Sequence, residues 1–311
     1  MRLTRNQGHG RFWRWVLSRV PTVIVTVIAL GTVLYLQAEP RKDPALTSVI
    51  IPDTVTTISH AAFWGCSSLT TVRMPDSLHT IRNNVFQYCP QLSDCALPAG
   101  LTSLGTNTFV GCFALTHMRI PSGLSTIPWA TFYGCSGLKS VTIPANITSL
   151  GVNCFYQCHQ LPDIDLPANL THIASNAFYQ CYGLKQISIP AGVTTIESGA
   201  FNQCTRLVRA DFQGNAPTLQ SNVFLGAGDG FTIYFFEGAT GFTTPTWQGY
   251  PCLNMGDANP TARWLTRHGH SHDSDMMADT NDDGVPLLMA YALGLDPDDN
   301  LAGRMPQPVL T

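Results

Sequence analysis

The stretch PANITSLGVNCFYQCHQLPDIDL, residues 144–166, is one turn of a pattern that returns every 23 residues. Its proline is one of a comb: Pro52, Pro75, Pro98, Pro121, Pro144, Pro167 and Pro190. Its second cysteine belongs to another: Cys66, Cys89, Cys112, Cys135, Cys158, Cys181 and Cys204. Its phenylalanine is part of an unbroken ladder of Phe63, Phe86, Phe109, Phe132, Phe155, Phe178, Phe201 and Phe224. Leu69, Leu92, Leu115, Leu138, Leu161, Leu184 and Leu207 form a fourth column. A fixed period in this range is the mark of a solenoid, in which no unit buries its apolar face alone and stacking builds a continuous core.

Within a unit, the residues before the proline alternate: Val141 and Ile143 with Ser140 and Thr142. This predicts a short strand with one face buried, which the proline ends because it cannot donate to a ladder. Strands of successive units lie ~4.8 Å apart, so eight predict one parallel sheet roughly 35 Å long. The segment running to the phenylalanine is expected to be irregular or helical backbone on the other side.

The pattern Leu-x-x-Val-x-Ile-Pro followed by Ala-Phe-x-x-Cys-x-x-Leu resembles the BspA-like leucine-rich repeats of bacterial surface proteins, over about residues 46–235. The resemblance implies an α/β-type solenoid, with a parallel β-sheet on the concave face and a mostly irregular or short-helical convex side. It also implies adhesion or recognition at a cell surface, without catalysis. The last unit departs from the pattern: Gln213 stands in the proline column and Ala227 in the cysteine column, while Phe224 persists. The aromatic, turn-rich 213–256 stretch is expected to be a β-rich C-terminal cap over the open apolar end. The expected domains are therefore 1–42, a basic and apolar leader; 43–212, the solenoid; 213–256, the cap; and 257–311, an acidic tail.

The net charge of −3 is asymmetric. Arg2, Arg5, Arg11, Arg14 and Arg19 lie in the first nineteen residues, and the remainder carries 12 basic against 20 acidic residues. Such a surface argues against nucleic acid as a partner, since that affinity rests on basic patches. Residues 20–36 hold no charge. As a helix they would span about 26 Å, the short limit for a bilayer. Two readings stand, a cleaved signal peptide and an uncleaved signal anchor that tethers the chain to the membrane; both put the repeats outside the cytoplasm.

Ten cysteines in an exported chain raise the question of disulfides. Neighbouring ladder cysteines would have Cα atoms at bridging distance, but their Cβ vectors run parallel instead of converging. The expectation is small, buried, reduced thiols. Cys95 falls in a strand core column and Cys154 in the alanine column, while Cys252 fits no column.

The outward strand positions form two columns: Thr71, Asp94, His117, Ser140, Asp163, Gln186 and Arg209, and Arg73, Ala96, Arg119, Thr142, Asp165, Ser188 and Asp211. Thr71, Arg73, Asp94, His117, Arg119, Asp163, Asp165, Gln186, Arg209 and Asp211 are the candidate contacts for a protein or glycan at the cell surface. None of the fourteen is aromatic, so the face lacks the Trp or Tyr that anchors binding hot spots. A merely solvated face is the plain alternative. Trp64, Tyr133, Tyr156 and Tyr179 share another column, with Tyr182 nearby. They read as stacked cover for the solenoid edge or as a binding stripe.

In the tail, His268, His270 and His272 suggest a transition metal such as zinc, against a solvated linker. Asp279, Asn281 and Asp283, followed by Gly284, match the opening of a calcium loop. Ala290 stands where the closing bidentate carboxylate belongs and Pro286 is foreign to the loop, so any calcium site there is weak. No other cofactor is indicated. No G-x-S-x-G, H-E-x-x-H or phosphate-loop motif is present. The leading function is an exported or membrane-anchored binding or adhesion solenoid. A structural envelope spacer without a ligand comes second, and an enzyme with its site in the cap or tail last.

Overall fold

The computed structural model describes residues 44–256, together with the short strands Val23–Ile24 and Tyr35–Leu36. Each 23-residue unit makes one coil, and two ladders of short strands climb the stack. The first carries Ser48–Ile50, Thr71–Arg73, Asp94–Cys95, His117–Arg119, Ser140–Thr142, Gln186–Ile189, Arg209–Phe212, Thr232–Phe235 and Tyr250–Asn254. The second carries Thr57–Ile58, Thr80–Ile81, Ser103–Leu104, Thr126–Ile127, Ser149–Leu150, His172–Ile173, Thr195–Ile196 and Thr218–Leu219. Pairing within both is parallel and in register by one period, as in Thr71 with Asp94 and Thr126 with Ser149. Among the described residues the one antiparallel pair is Thr246–Trp247 with Tyr250–Asn254, at the C-terminal end.

The expected α/β architecture is overturned. The described residues contain no helix, and the chain is a β-solenoid whose array pairs in parallel throughout. The phenylalanine corner, expected to be irregular or short-helical, forms a third ladder made of turns. Alternate amides there donate to the next coil: Phe63 to Val85 (3.0 Å), Phe86 to Thr108 (2.9 Å) and Phe155 to Ala177 (2.8 Å). A helix would need those same amides for its own i→i−4 bonds. The corner also places two residues per coil at positive φ, which breaks any right-handed run. One such column holds Ala61, Asn84, Asn107, Ala130, Asn153, Asn176, Gly199 and Asn222; the other, four residues on, holds Gly65, Tyr88, Gly111, Gly134, Gln157, Gln180, Gln203 and Gly226. Asparagine and glycine dominate because they tolerate the left-handed region best.

The first ladder also differs from the single sheet expected. It is interrupted twice, between Asp94–Cys95 and His117–Arg119 and again between Ser140–Thr142 and Gln186–Ile189, where residues 163–165 form no strand; the second ladder is interrupted once, between Ser103–Leu104 and Thr126–Ile127. The physical cause of the break at residues 163–165 is Pro162. Lys139 donates its amide to Thr116 O, and Lys185 donates to Pro162 O, but Pro162 has no N–H to pass the ladder on.

The core is one cluster running from Leu46 to Cys252. Its axis is the phenylalanine ladder, stacked with ring centroids 5.1–5.6 Å apart. All ten cysteines are buried thiols. The ladder thiols point at a carbonyl one coil back: Cys89 Sγ donates to Phe63 O (3.1 Å) and Cys135 Sγ to Phe109 O (3.1 Å). A small apolar side chain with one weak donor suits a buried carbonyl that alanine would leave less satisfied. Cys252, which fits no sequence column, pairs with Ile233 in the last first-ladder strand and is fully buried. At that end Phe212 meets Phe242 and Trp247 edge-on, and Tyr250 meets Phe224 and Phe231 in the same way.

Val23–Ile24 pairs with Val49 and Ile50, and Tyr35–Leu36 with Thr57 and Ile58, adding a step to each ladder. The rest of the 20–36 segment, His268, His270 and His272, and the calcium-type residues Asp279, Asn281 and Asp283 lie outside the described residues. No described helix is long and apolar enough to cross a membrane.

Candidate functional site

The first ladder lines up its outward residues as the columns require. Thr71 pairs with Asp94, His117 with Ser140, Gln186 with Arg209, and Arg119 with Thr142. Arg73, Asp94, His117, Arg119, Asp163 and Asp165 are exposed, while Thr71, Gln186 and Arg209 are half-buried. His117 Nδ1 lies 2.7 Å from Ser140 Oγ. The ten candidates run in file over seven coils and do not converge on one point.

One end of this face is paired internally. Arg209 Nε donates to both oxygens of Asp211 at 2.9 Å, and Asp211 is 3% exposed. The Arg209 guanidinium also sits 4.2 Å above the centre of the Tyr234 ring, a cation–π contact. Tyr234 continues the outward column one coil past Asp211. The sequence columns stopped at Asp211 and so missed it; the alternation in 231–236 was the available signal.

The aromatic flank is the more distinctive surface. Tyr133 stacks on Tyr156 at 4.5 Å, and Tyr156 on Tyr179 at 4.7 Å, with ring planes within 10° of parallel. Partial burial, and then the neighbouring tyrosines, push the Tyr156 phenol above its usual pKa. Toward the N-terminal end the flank opens into a cleft of about 390 Å³ lined by Trp64, Gly65, Ser67, Tyr88, Pro90, Gly111 and Phe113. Trp64 meets Tyr88 edge-on, with ring centroids 6.3 Å apart. Tyr88 is 51% and Phe113 55% exposed, among the most exposed large apolar residues described.

The backbone explains this arrangement. Tyr88 occupies the second positive-φ column, where Gly65 and Gly111 stand in the coils on either side. A Cβ on Gly111 would come within 3.0 Å of Tyr88 Cδ1, so the glycine is what leaves the ring its place. Sequence reading picked out Trp64, Tyr133, Tyr156, Tyr179 and Tyr182, but not Tyr88 or Phe113. These lie one and three columns away, and only the left-handed turn brings them to the same flank.

One grouping looks catalytic and is not. Ser175 Oγ donates to Glu197 Oε2 at 2.7 Å, and His172 Nε2 lies 3.1 Å from Glu197 Oε1. These bonds, those to Ser175 first, hold the Glu197 carboxyl below its usual pKa. A triad requires the histidine to receive the serine proton, whereas here serine and histidine both bind the carboxylate.

A family model described as "BspA type Leucine rich repeat region" matches residues 41–158 and 125–240. Among solved structures, a leucine-rich repeat protein from Bacteroides ovatus is similar to the chain at 25% identity and a TM-score of 0.53, covering 69% of this chain and 63% of that one. The chain thus spans less than two thirds of that relative. A leucine-rich repeat protein of T. pallidum matches at 27% identity and a TM-score of 0.48, over 51% of this chain and 77% of its own. No curated protein sequence matches the chain.

Proposed function

Because the chain belongs to the BspA-type leucine-rich repeat family, a class of surface-associated, non-catalytic protein-interaction modules, we propose that it is an exported binding protein that engages a protein partner through its aromatic flank. The basic, apolar leader supplies export, either as a cleaved signal or as a membrane anchor; in either role the first coil stands without the pairing that Val23–Ile24 and Tyr35–Leu36 give it in this structure. The observation that carries the binding surface is the exposure of Tyr88 and Phe113 around an open cleft beside Trp64. Aromatic side chains dominate protein hot spots because they bury much apolar area with little rotamer entropy to lose, and clustered exposed apolar groups mark interaction sites. The outward first-ladder residues Thr71, Arg73, Asp94, His117, Arg119, Asp163, Asp165 and Gln186 supply a solvated polar face that tunes approach and selectivity; Arg209 and Asp211 stiffen its C-terminal end.

The test is binding of the full chain to immobilised extracellular matrix proteins and to whole cells, with Tyr88→Ser/Phe113→Ser beside the wild type. A drop of at least about tenfold, with an unchanged denaturation midpoint, is expected from loss of two hot-spot rings. Equal binding would remove the flank from the interface. Failure of the wild type to bind any of these surfaces would favour the spacer reading.

A further inference from the structure

The same flank carries a second cleft, three coils from the first and of opposite character. It encloses about 390 Å³ and is lined by Lys139, His159, Gln160, Pro162, Gly183, Lys185 and Arg206. The chain has only three lysines, Lys42, Lys139 and Lys185, and two of them meet here. Residues 44–256 hold seven Lys and Arg in all, so nearly half of the array's cations face one cleft. All three cations are exposed, and no carboxylate lines the cleft, although Asp163 follows Pro162 on the adjoining strand face. Like charges gathered on an otherwise acidic chain repel one another and raise the local potential for an anion.

Beside the cations lies a flat ring pair. His159 stacks on Tyr182 with centroids 4.7 Å apart and planes within 18°. Burial lowers the His159 pKa, and its Nε2 is buried with no hydrogen-bond partner among the described residues. At neutral pH the ring is therefore a stacking surface and not a fourth cation. The floor is backbone: a Cβ on Gly183 would lie 2.8 Å from Leu161 O. Pro162, which breaks the first ladder, separates the coils of the two lysines. They stand two coils apart, roughly 10 Å at the spacing of neighbouring strands.

We propose that this cleft binds an anionic glycan, with sulfate or carboxylate groups on Lys139, Lys185 and Arg206 and a sugar face on the stacked rings of His159 and Tyr182. Spaced cations suit a chain whose charges are spaced by sugar rings. A phosphodiester strand carries denser charge than three cations on an acidic chain can match. An acidic peptide has no ring face to lay on the aromatic pair. The assignment uses residues separate from the Trp64, Tyr88 and Phe113 cleft and stands or falls apart from it.

The experiment uses the full chain with heparin as the sulfated probe, desulfated heparin as the carboxylate probe, and dextran, polyglutamate and oligo-dT as comparisons. Arg2, Arg5, Arg11, Arg14 and Arg19 can also attract polyanions, so the readout is residue-specific: protection of Lys139 and Lys185 from an amine-reactive label, with Lys42 as internal reference. Heparin, with or without its sulfates, is expected to slow labelling of Lys139 and Lys185 at least fivefold relative to Lys42. Tyr182→Ala should cut that protection by at least threefold, and Lys139→Gln should remove it at Lys185. Which heparin form protects separates sulfate from carboxylate recognition. The proposal is overturned if neither form protects, if dextran protects equally, or if polyglutamate or oligo-dT protects equally with Tyr182→Ala without effect. Because the lysines are exposed, an unchanged denaturation midpoint is the control for folding.

Discussion

Phe155 and Tyr156 are neighbours in the chain, and each stacks on its counterparts one period away, yet the two stacks have opposite environments. The phenylalanine column is sealed in the core, with rings 5.1–5.6 Å apart. The tyrosine column lies half-exposed on the flank, with rings 4.5–4.7 Å apart. The repeat treats both alike, since any residue returned every 23 positions meets itself. Which stack holds the fold and which is available to a ligand is set by the side of the corner each residue faces. Periodicity alone is therefore a poor guide to stability in a solenoid, and burial decides.

The widest separation between the columns should come from truncation. Phe155→Ala is expected to lose ~3–5 kcal/mol, because a ring between two stacked neighbours leaves a cavity that close-packed coils cannot fill. Tyr156→Ala should cost under about 1 kcal/mol, as for other surface changes. Urea denaturation of both variants measures the gap. Equal losses would mean that the tyrosine stack is structural cover and not a surface free for a ligand.

The cysteine column sharpens the contrast through pH. Burial pushes the Cys89 and Cys204 thiols up to about 12, and raises Cys112, Cys135, Cys158 and Cys181 as well. A folded-state pKa above the unfolded value means that the stability is fully present below about pH 9. It is lost as pH rises from there toward the folded values, because only the unfolded chain releases its protons. Each such thiol steepens the fall by at most ~1.4 kcal/mol per pH unit. Denaturation midpoints between pH 8 and 10.5 should drop accordingly. In parallel, alkylation at pH 8 should be negligible before unfolding and reach all ten thiols after it. Rapid labelling of several ladder cysteines in the native chain would show that the column is open to solvent.

The smallest effect concerns the corner that separates the two stacks. Ala130 sits at φ 50°, in the column otherwise filled largely by asparagine. In that column Asn107 Nδ2 donates to Asn84 Oδ1 at 3.1 Å. Ala130→Asn is expected to gain about 1 kcal/mol, by relieving left-handed strain and extending the side-chain ladder. A loss in thermal denaturation would show that the corner is held by packing and not by its dihedral preference.

Much of the molecule could be read from the chain. Phe63 to Phe224, Cys66 to Cys204 and Leu69 to Leu207 are core columns because identical residues at a fixed period must face the same environment. The break at Pro162 was also legible in principle, as a missing donor in a position that Lys139 and Lys185 otherwise fill. The asparagine and glycine columns carried the signal against a helix, yet asparagine alone does not announce a positive φ in every coil. Pairing of Arg209 with Asp211 two residues away was visible as opposite charge, but its burial under the last coils was not. The flank was half legible. Trp64, Tyr133, Tyr156 and Tyr179 share a column, whereas Tyr88, Phe113 and the basic cleft are assembled from several.

By itself, then, the sequence determined the coil length, the stacking columns and the family resemblance. These follow from counting along a covalent chain, and they hold for any backbone that takes 23 residues per turn. The tertiary structure decided that the corner is a ladder of turns instead of a helix, and which neighbouring columns share a surface. Those outcomes rest on amides of one coil finding carbonyls of the next, as Phe155 finds Ala177, and on the sign of φ that this pairing imposes. Both are settled between coils, beyond the reach of local preference.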